Sequence, residues 1–116
     1  MTFGSAIRIK REKLRASNAS YSLRQVAERV GIEPAYLSKI ERDQFSPPGE
    51  ATIRSIACEL DEDPDVMLAM AGKVSSDLQN VIRQRPKLFA ELIRQIKDMP
   101  DHAVLRIVRE LRDGEW

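Results

Sequence analysis

The chain has 116 residues, with 19 Lys plus Arg, 18 Asp plus Glu and one His, and its formal net charge is +1. Its length suits one compact domain with a small appendage, and 42% hydrophobic with 32% charged residues is typical of a soluble globular protein rather than a disordered one. No apolar run is long enough to span a membrane, and a single Cys excludes an internal disulfide framework and a Cys-rich zinc site. Basic residues from Arg8 onward interrupt any signal-like stretch, so we expect a cytoplasmic protein without membrane contact.

The near-neutral total conceals an uneven distribution of charge along the chain. Residues 1–48 contain nine basic and five acidic side chains, a local net charge of +4. The remaining residues contain ten basic and 13 acidic side chains, a net charge of −3. Such asymmetry indicates a local anion-binding surface in the N-terminal half.

The hydrophobic period is helical almost throughout, and no convincing strand alternation occurs. The pattern predicts a first helix at 3–16, a fourth at 50–60 and a fifth at 64–71. Ser22 is a natural N-cap for the second helix, Gly31 ends that helix in a left-handed turn, and Pro34 opens the third helix. Residues 1–72 are therefore predicted to form a compact five-helix domain.

Residues 73–116 are predicted to form a helical C-terminal extension, called the tail below. Pro86 and Pro100 divide it into three helices, at about 76–85, 86–98 and 100–113. Their apolar stripes are broad enough to contact more than one neighbour. The predicted interface residues of the tail are Phe89, Leu92, Ile93, Ile96, Leu105 and Val108.

The spacing of small and apolar residues between Leu23 and Ile40 is that of a helix-turn-helix. Two helices that cross steeply need a small residue at the crossing, which Ala27 supplies, and the short turn between them favours Gly, which is present as Gly31. Leu37 and Ile40 then hold the second of the two helices against the first. The other face of this second helix, the third of the chain, is left free.

A helical wheel of the third helix predicts the composition of this free face. Ala35, Ser38, Lys39 and Arg42 point outward and form a small, hydroxyl-bearing and basic surface. Such a surface can enter a major groove, which is about 12 Å wide, and offer donors to base edges and phosphates.

The same wheel places a carboxylate, that of Glu41, on the core-facing arc. An unpaired carboxylate there would be costly, and Arg11 flanks the apolar stripe of the first helix. We therefore predict a partly buried ion pair between Arg11 and Glu41, with exposure of Glu41 to solvent as the alternative.

Residues 1–72 resemble the Cro/C1-type helix-turn-helix regulators, also called the XRE family. The resemblance rests on residues 3–8, 22–32 and 34–42 and on the helix pattern from Ile53 to Asp65. It implies an all-α, five-helix, lambda-repressor-like DNA-binding domain that binds a palindromic operator as a dimer.

The resemblance also implies roles for individual residues. The residues facing the bases would be Pro34, Ala35, Tyr36, Ser38 and Lys39. The residues contacting phosphates would be Leu23, Arg24, Arg42, Phe45 and Ser46. Three departures from the family pattern occur. Asp43 stands where Gly is usual, and the polar loop at residues 17–21, which breaks the helical pattern, is longer than usual. Leu23 replaces a polar residue, which makes Arg24 the stronger candidate for phosphate.

No pattern in the chain indicates catalysis or a bound metal. Asp61, Asp63 and Asp65 have the spacing of the first calcium-loop ligands, but Val66 stands where that loop needs Gly. His102 is a lone histidine without a partner motif. We therefore predict no enzyme activity, no cofactor, no metal and no small-molecule ligand.

Taken together, these patterns predict a sequence-specific regulator of transcription that binds double-stranded DNA, a repressor that acts as a homodimer. The alternative is an antitoxin-like adaptor whose tail docks a partner protein, with DNA binding secondary. The whole-chain pattern, which ends in residues 112–116, is similar to XRE-type regulators encoded beside a metalloprotease, and this suggests such a partner. For the tail, dimerisation, docking of a partner and packing on its own domain remain open.

Overall fold

The computed structural model describes residues 1–114, and within them the fold is all-helical, as predicted, without a strand. Glu115 and Trp116, which belong to the segment of resemblance at the C-terminus, lie outside the described residues. The α-helices are α1 Phe3–Arg15, α2 Leu23–Val30, α3 Pro34–Glu41, α4 Glu50–Glu59, α5 Pro64–Met70, α6 Ser76–Gln84, α7 Pro86–Ile96 and α8 Asp101–Asp113.

The chain divides into two compact units. The first unit, Met1–Ser75, contains α1 to α5, and the second unit begins at Ser76 and contains α6 to α8. The division falls three residues after the domain boundary expected at Gly72.

The helix ends follow from local capping groups. The Ser22 hydroxyl accepts a hydrogen bond from the backbone N–H of Gln25 at 3.3 Å and begins α2. Gly31, at a φ of 85°, ends α2 in the left-handed conformation. The Asp63 carboxylate accepts from the N–H of Asp65 at 2.8 Å at the start of α5, so capping accounts for this acidic residue.

The core of the first unit is built from the apolar stripes of all five helices. Ala27 is completely buried, and its small side chain allows α2 and α3 to pack closely. The other buried apolar residues are Phe3, Ile7, Val26, Leu37, Ile40, Ile53, Ile56, Ala57, Leu60, Met67 and Leu68.

A 3-10 helix occupies part of the polar stretch that interrupts the helical pattern after α1. This helix spans Ala19–Tyr21, and the side chain of Asn18 caps it by accepting from the N–H of Ser20 at 3.0 Å. The sequence predicts a long loop here because these residues lack an apolar period. Side-chain capping folds it instead.

The start of α1 is attached to the end of α3 through Asp43. The Asp43 carboxylate accepts hydrogen bonds from the N–H of Gly4 at 3.0 Å and from the hydroxyl of Thr2 at 2.6 Å. Thr2 is itself the N-cap of α1 and forms a reciprocal capping box with Ser5. The negative charge at a helix N-terminus is also favourable for the helix dipole.

The second unit has amphipathic helices but no buried residue within 76–114. Of the predicted interface residues of the tail, Ile96 is half-buried. The other five are exposed, namely Phe89, Leu92, Ile93, Leu105 and Val108. Within the described residues, none of the helices has the length and apolar character needed to cross a membrane.

Candidate nucleic-acid interface

The packing of α2 against α3 determines which face of α3 remains open. Leu37 and Ile40 are buried under Val26 and Ala27, so the opposite side of α3 faces solvent. Ala35 and Lys39 on that side are exposed, and Ser38 is half-buried. Pro34 and Tyr36, also predicted to face bases, are half-buried at the start of the helix.

An aromatic contact holds the loop after α3 against this face. The Phe45 ring lies 5.8 Å from the Tyr36 ring, centroid to centroid, at an interplanar angle of 54°. The Lys39 ammonium lies 5.2 Å from the centroid of the Phe45 ring, within cation–π range. Sequence reasoning assigned Phe45 to a phosphate contact and did not detect this cluster, because its members are brought together by a turn and not by helical spacing.

A polar cleft of about 190 Å³ lies beside α3, where α1 and the start of α2 meet it. Three of the residues predicted to contact DNA line this cleft, namely Leu23, Ser38 and Arg42. Arg8 also lines it and was missed by sequence reasoning, although its spacing of three residues from Arg11 on a helix was a usable signal. Arg11, Glu12 and Glu41 also line the cleft. Arg8 pairs with Glu12 and Arg11 with Glu41, so Arg42 is the cation of this lining that has no carboxylate at ion-pair distance next to the open face of α3.

The first turn of α2 provides a second group of donors at this cleft. The Leu23 side chain packs on the core, so only its backbone N–H can contact a phosphate. Arg24 is exposed. Among the described residues, Arg24, Lys39 and Arg42 have no carboxylate at ion-pair distance, so their charges are available to an external anion.

Arg11 and Glu41 form a bidentate ion pair between α1 and α3. Arg11 Nε donates to Glu41 Oε2 at 2.7 Å and Arg11 Nη2 to Glu41 Oε1 at 2.9 Å, and the exposed side-chain fractions are 5% and 3%. A third bond, from Nη1 to the Tyr21 carbonyl oxygen at 3.2 Å, uses a further donor. The hydrogen bond to Glu41 raises the pKa of Arg11, the negative charges of Glu41 and Glu12 add to this, and burial opposes it.

Another arginine of the basic half is also used within the fold. Arg29 on α2 pairs with Glu59 on α4 at 2.6 Å, and its guanidinium lies 5.4 Å from the centroid of the Tyr21 ring. Its charge is therefore neutralised within the first unit. The local charge of +4 thus overstates the charge available to an anion.

Asp43 shows how the chain departs from the expected glycine after α3. Its φ is 57°, the left-handed conformation that favours glycine. The two hydrogen bonds from α1 compensate for this strain. The turn therefore keeps its conformation without glycine.

Other groups in the described residues give no sign of a metal centre. Within residues 1–114, no group of three or more His, Cys, Asp or Glu could hold a metal ion. His102 is exposed in the first turn of α8, and Cys58 is an exposed free thiol on α4.

Helices α2 and α3 cross with a buried contact between them, and the outer face of α3 is open and basic. This arrangement defines a helix-turn-helix DNA-binding domain. Residues 12–67 match the family described as Helix-turn-helix, and this segment is a Cro/C1-type helix-turn-helix domain of the XRE family. The chain therefore contains a helix-turn-helix domain, and this class of domain binds DNA. Comparison with curated proteins and with solved structures found no match to this chain.

Proposed function

We propose that this chain is a cytoplasmic, sequence-specific repressor that binds a palindromic operator in double-stranded DNA as a homodimer. The observation that supports this most strongly is the open face of α3, which combines exposed Lys39 and Ala35 with Arg42 in the adjoining cleft. Two copies would place their α3 helices in successive major grooves, about 34 Å apart.

Base and phosphate contacts divide between two parts of this surface. Ser38 and Lys39 offer a hydroxyl and an ammonium to base edges, and Ala35 permits close approach of the helix. Arg8, Arg24 and Arg42 surround the cleft and the start of α2, where the helix dipole also favours a phosphate. In this arrangement the phosphate contacts fix the position of the protein along the duplex, and α3 discriminates between base sequences.

An adaptor that docks a partner protein through its tail is the second candidate. The specific observation in its favour is the exposed apolar surface of α7 and α8. A metalloprotease is one partner of this kind. In this case, DNA binding by the first unit would be secondary. Removal of the partner would then change the regulation of transcription more than a loss of operator affinity would.

Selection of bound DNA from a random pool by the full chain tests the proposed function. We expect enrichment of a palindrome whose half-sites are separated by about one helical turn, 10–10.5 base pairs. The triple variant Ser38→Ala, Lys39→Ala and Arg42→Ala should enrich no sequence under the same conditions. Failure of the wild-type chain to enrich a palindrome would contradict the proposal.

Lys39→Ala should weaken binding to the selected operator by roughly 1–3 kcal/mol and leave non-specific binding nearly unchanged, because Lys39 lies on the base-facing side of α3. Arg42→Ala should instead weaken binding to every sequence and lower the slope of log K against log salt by about 1. Titrations of operator and scrambled DNA at several salt concentrations separate the two effects. Lys97→Ala, which removes the same charge from the tail, is the control, and equal losses for both DNAs in Lys39→Ala would contradict its role.

Phe45→Leu should reduce operator affinity by a factor of about 2–5, because the Lys39 ammonium loses a cation–π contact of about 0.5–1 kcal/mol and becomes less ordered. Phe45→Tyr keeps an aromatic face and should bind as the wild-type chain does. The effect should disappear in a Lys39→Ala background, which a double-mutant cycle measures. An equal loss in both backgrounds would show that Phe45 contacts DNA directly.

A further inference from the structure

One side of α1 faces the cleft beside α3 and continues past the residues that line it. Arg8, Arg11 and Glu12 line the cleft, so they mark the side of α1 that is turned toward α2 and α3. At about 3.6 residues per turn, Arg15 lies about 20° from Arg8 and about 40° from Arg11 around the helix axis. These four residues are called the cleft side of α1 below, and Arg15 extends it by one turn beyond Arg11.

The two exposed arginines of the cleft side differ in their partners. Arg15 is exposed and, within residues 1–114, has no carboxylate at ion-pair distance. Arg8 lies 3.4 Å from Glu12, and both side chains are more than half exposed, at 56% and 53%. Water and salt weaken such a pair, so an external anion can replace Glu12 as the partner of Arg8.

The cleft side of α1 lies next to the start of α2. Arg11 Nη1 donates to the carbonyl oxygen of Tyr21, which directly precedes the N-cap residue Ser22. The free N–H groups and the dipole at the start of α2 attract phosphate. Leu23, the first residue of α2, and Arg42 line the same cleft as Arg8. Groups suited to phosphate therefore continue from α3 and α2 onto α1.

The spacing of the two exposed arginines favours a chain of anions over a single anion. Seven residues separate Arg8 from Arg15 on α1, which is a rise of about 10.5 Å along the helix axis. One phosphate or carboxylate group is too small to contact both guanidinium groups at this separation. The backbone of a nucleic acid carries repeated phosphates and can supply a separate one to each arginine.

Glu12 places a negative charge within this basic surface. It lies four residues after Arg8 and three residues before Arg15, and these spacings put all three side chains on one side of the helix. Its carboxylate repels phosphate and occupies Arg8 in the free protein. Glu12 therefore acts against the attraction that the two arginines provide.

We propose that the cleft side of α1 is a second phosphate-contacting surface, in which Arg8 and Arg15 bind separate phosphates of the DNA backbone and Glu12 opposes this binding. The inference deepens the proposed function and rests on DNA binding by the first unit. Since phosphate contacts carry no sequence information directly, the surface contributes equally to operator and non-specific DNA.

Arg15→Ala should lower the slope of log K against log salt by about 0.9 and weaken binding to operator and scrambled DNA alike, by roughly 5–10-fold at about 0.1 M salt. Lys13→Ala is the matched control, because Lys13 is also exposed in the last turn of α1 but lies about 160° from Arg15 around the axis. It should leave the slope nearly unchanged. Equal slopes for the two variants would overturn the proposal.

Glu12→Gln should tighten binding to both DNAs by about 2–5-fold at low salt, on the scale of one exposed ion pair. Glu91→Gln removes an exposed partner of Arg94 at 3.5 Å in the second unit and should leave DNA binding unchanged. The gain from Glu12→Gln should shrink in an Arg8→Ala background, which a double-mutant cycle measures. Unchanged or weaker binding by Glu12→Gln would overturn the role of Glu12.

The same titrations distinguish this inference from the proposed function. A wild-type chain that enriches a palindrome, with equal salt slopes for Arg15→Ala and Lys13→Ala, would reject the α1 surface alone. A wild-type chain that enriches no palindrome but loses salt slope in Arg15→Ala would reject the proposed function alone. A wild-type chain that binds no DNA would reject both.

Discussion

Arg11→Met should lower the free energy of unfolding by about 3–5 kcal/mol, the largest loss that we expect from a single polar substitution in this chain. The substitution leaves the Glu41 carboxylate at 3% exposure without its two charged hydrogen bonds. It also removes the bond to the Tyr21 carbonyl oxygen. Chemical denaturation followed by circular dichroism measures the change.

Two further variants separate the cost of an orphaned charge from the value of the pair. Arg11→Met with Glu41→Leu should recover most of the lost stability, because apolar replacement of a buried pair is often neutral or favourable. Arg8→Ala removes an exposed pair with Glu12, whose side chains are 56% and 53% exposed, and should cost less than about 1 kcal/mol. If Arg11→Met cost no more than Arg8→Ala, the buried pair would have no structural role.

The raised pKa of Arg11 determines the pH range in which its charge contributes. A basic group with a raised folded-state pKa stabilises the fold fully below its unfolded-state pKa, and this contribution is lost only as the pH rises through the folded-state value. The ordinary pKa of arginine is already far above neutrality. The arginine side of the pair therefore remains charged throughout the neutral and moderately alkaline range.

Gly4→Ala should destabilise the first unit by about 3 kcal/mol, at the upper end of the usual cost of overpacking. A Cβ at this position would overlap the carbonyl oxygen of Ile40 and would lie 2.6 Å from Oδ1 of Asp43. Relief of the overlap requires α1 to move away from α3, which breaks the cap that Asp43 provides to Gly4 and Thr2. Thermal and chemical unfolding measure the loss.

Gly49→Ala is the matched control for this substitution. Gly49 has a φ of −68° and open space around its Cβ position, so alanine fits without strain. This change should alter the stability by less than about 1 kcal/mol, because it restricts the unfolded chain but places a poorer N-cap on α4. Similar effects of the two alanines would show that close approach at Gly4 does not hold α1 against α3.

Much of the helical architecture can be predicted from the sequence because it depends on local signals. Ser22, Gly31 and Asp63 cap or end their helices as the sequence predicts, since capping involves only groups within one or two turns. The predicted helices extend one or two residues past the observed ends of α1, α4, α5, α6 and α7. In α1, α4 and α5 the extra residue is the C-cap. The period of α3 is also sufficient to place Glu41 on the core-facing arc and to suggest Arg11 as its partner.

The sequence by itself determined the five-helix class of the first unit, the order of its helices and the open face of α3. Only the tertiary structure decided that Arg8 joins Ser38 and Arg42 at one cleft, that Phe45 contacts Lys39, and that Asp43 caps α1. The physical reason is the distance along the chain over which each signal acts. Periodicity and capping act over a few residues along the chain, whereas these contacts depend on helix packing and on a turn that no local pattern specifies.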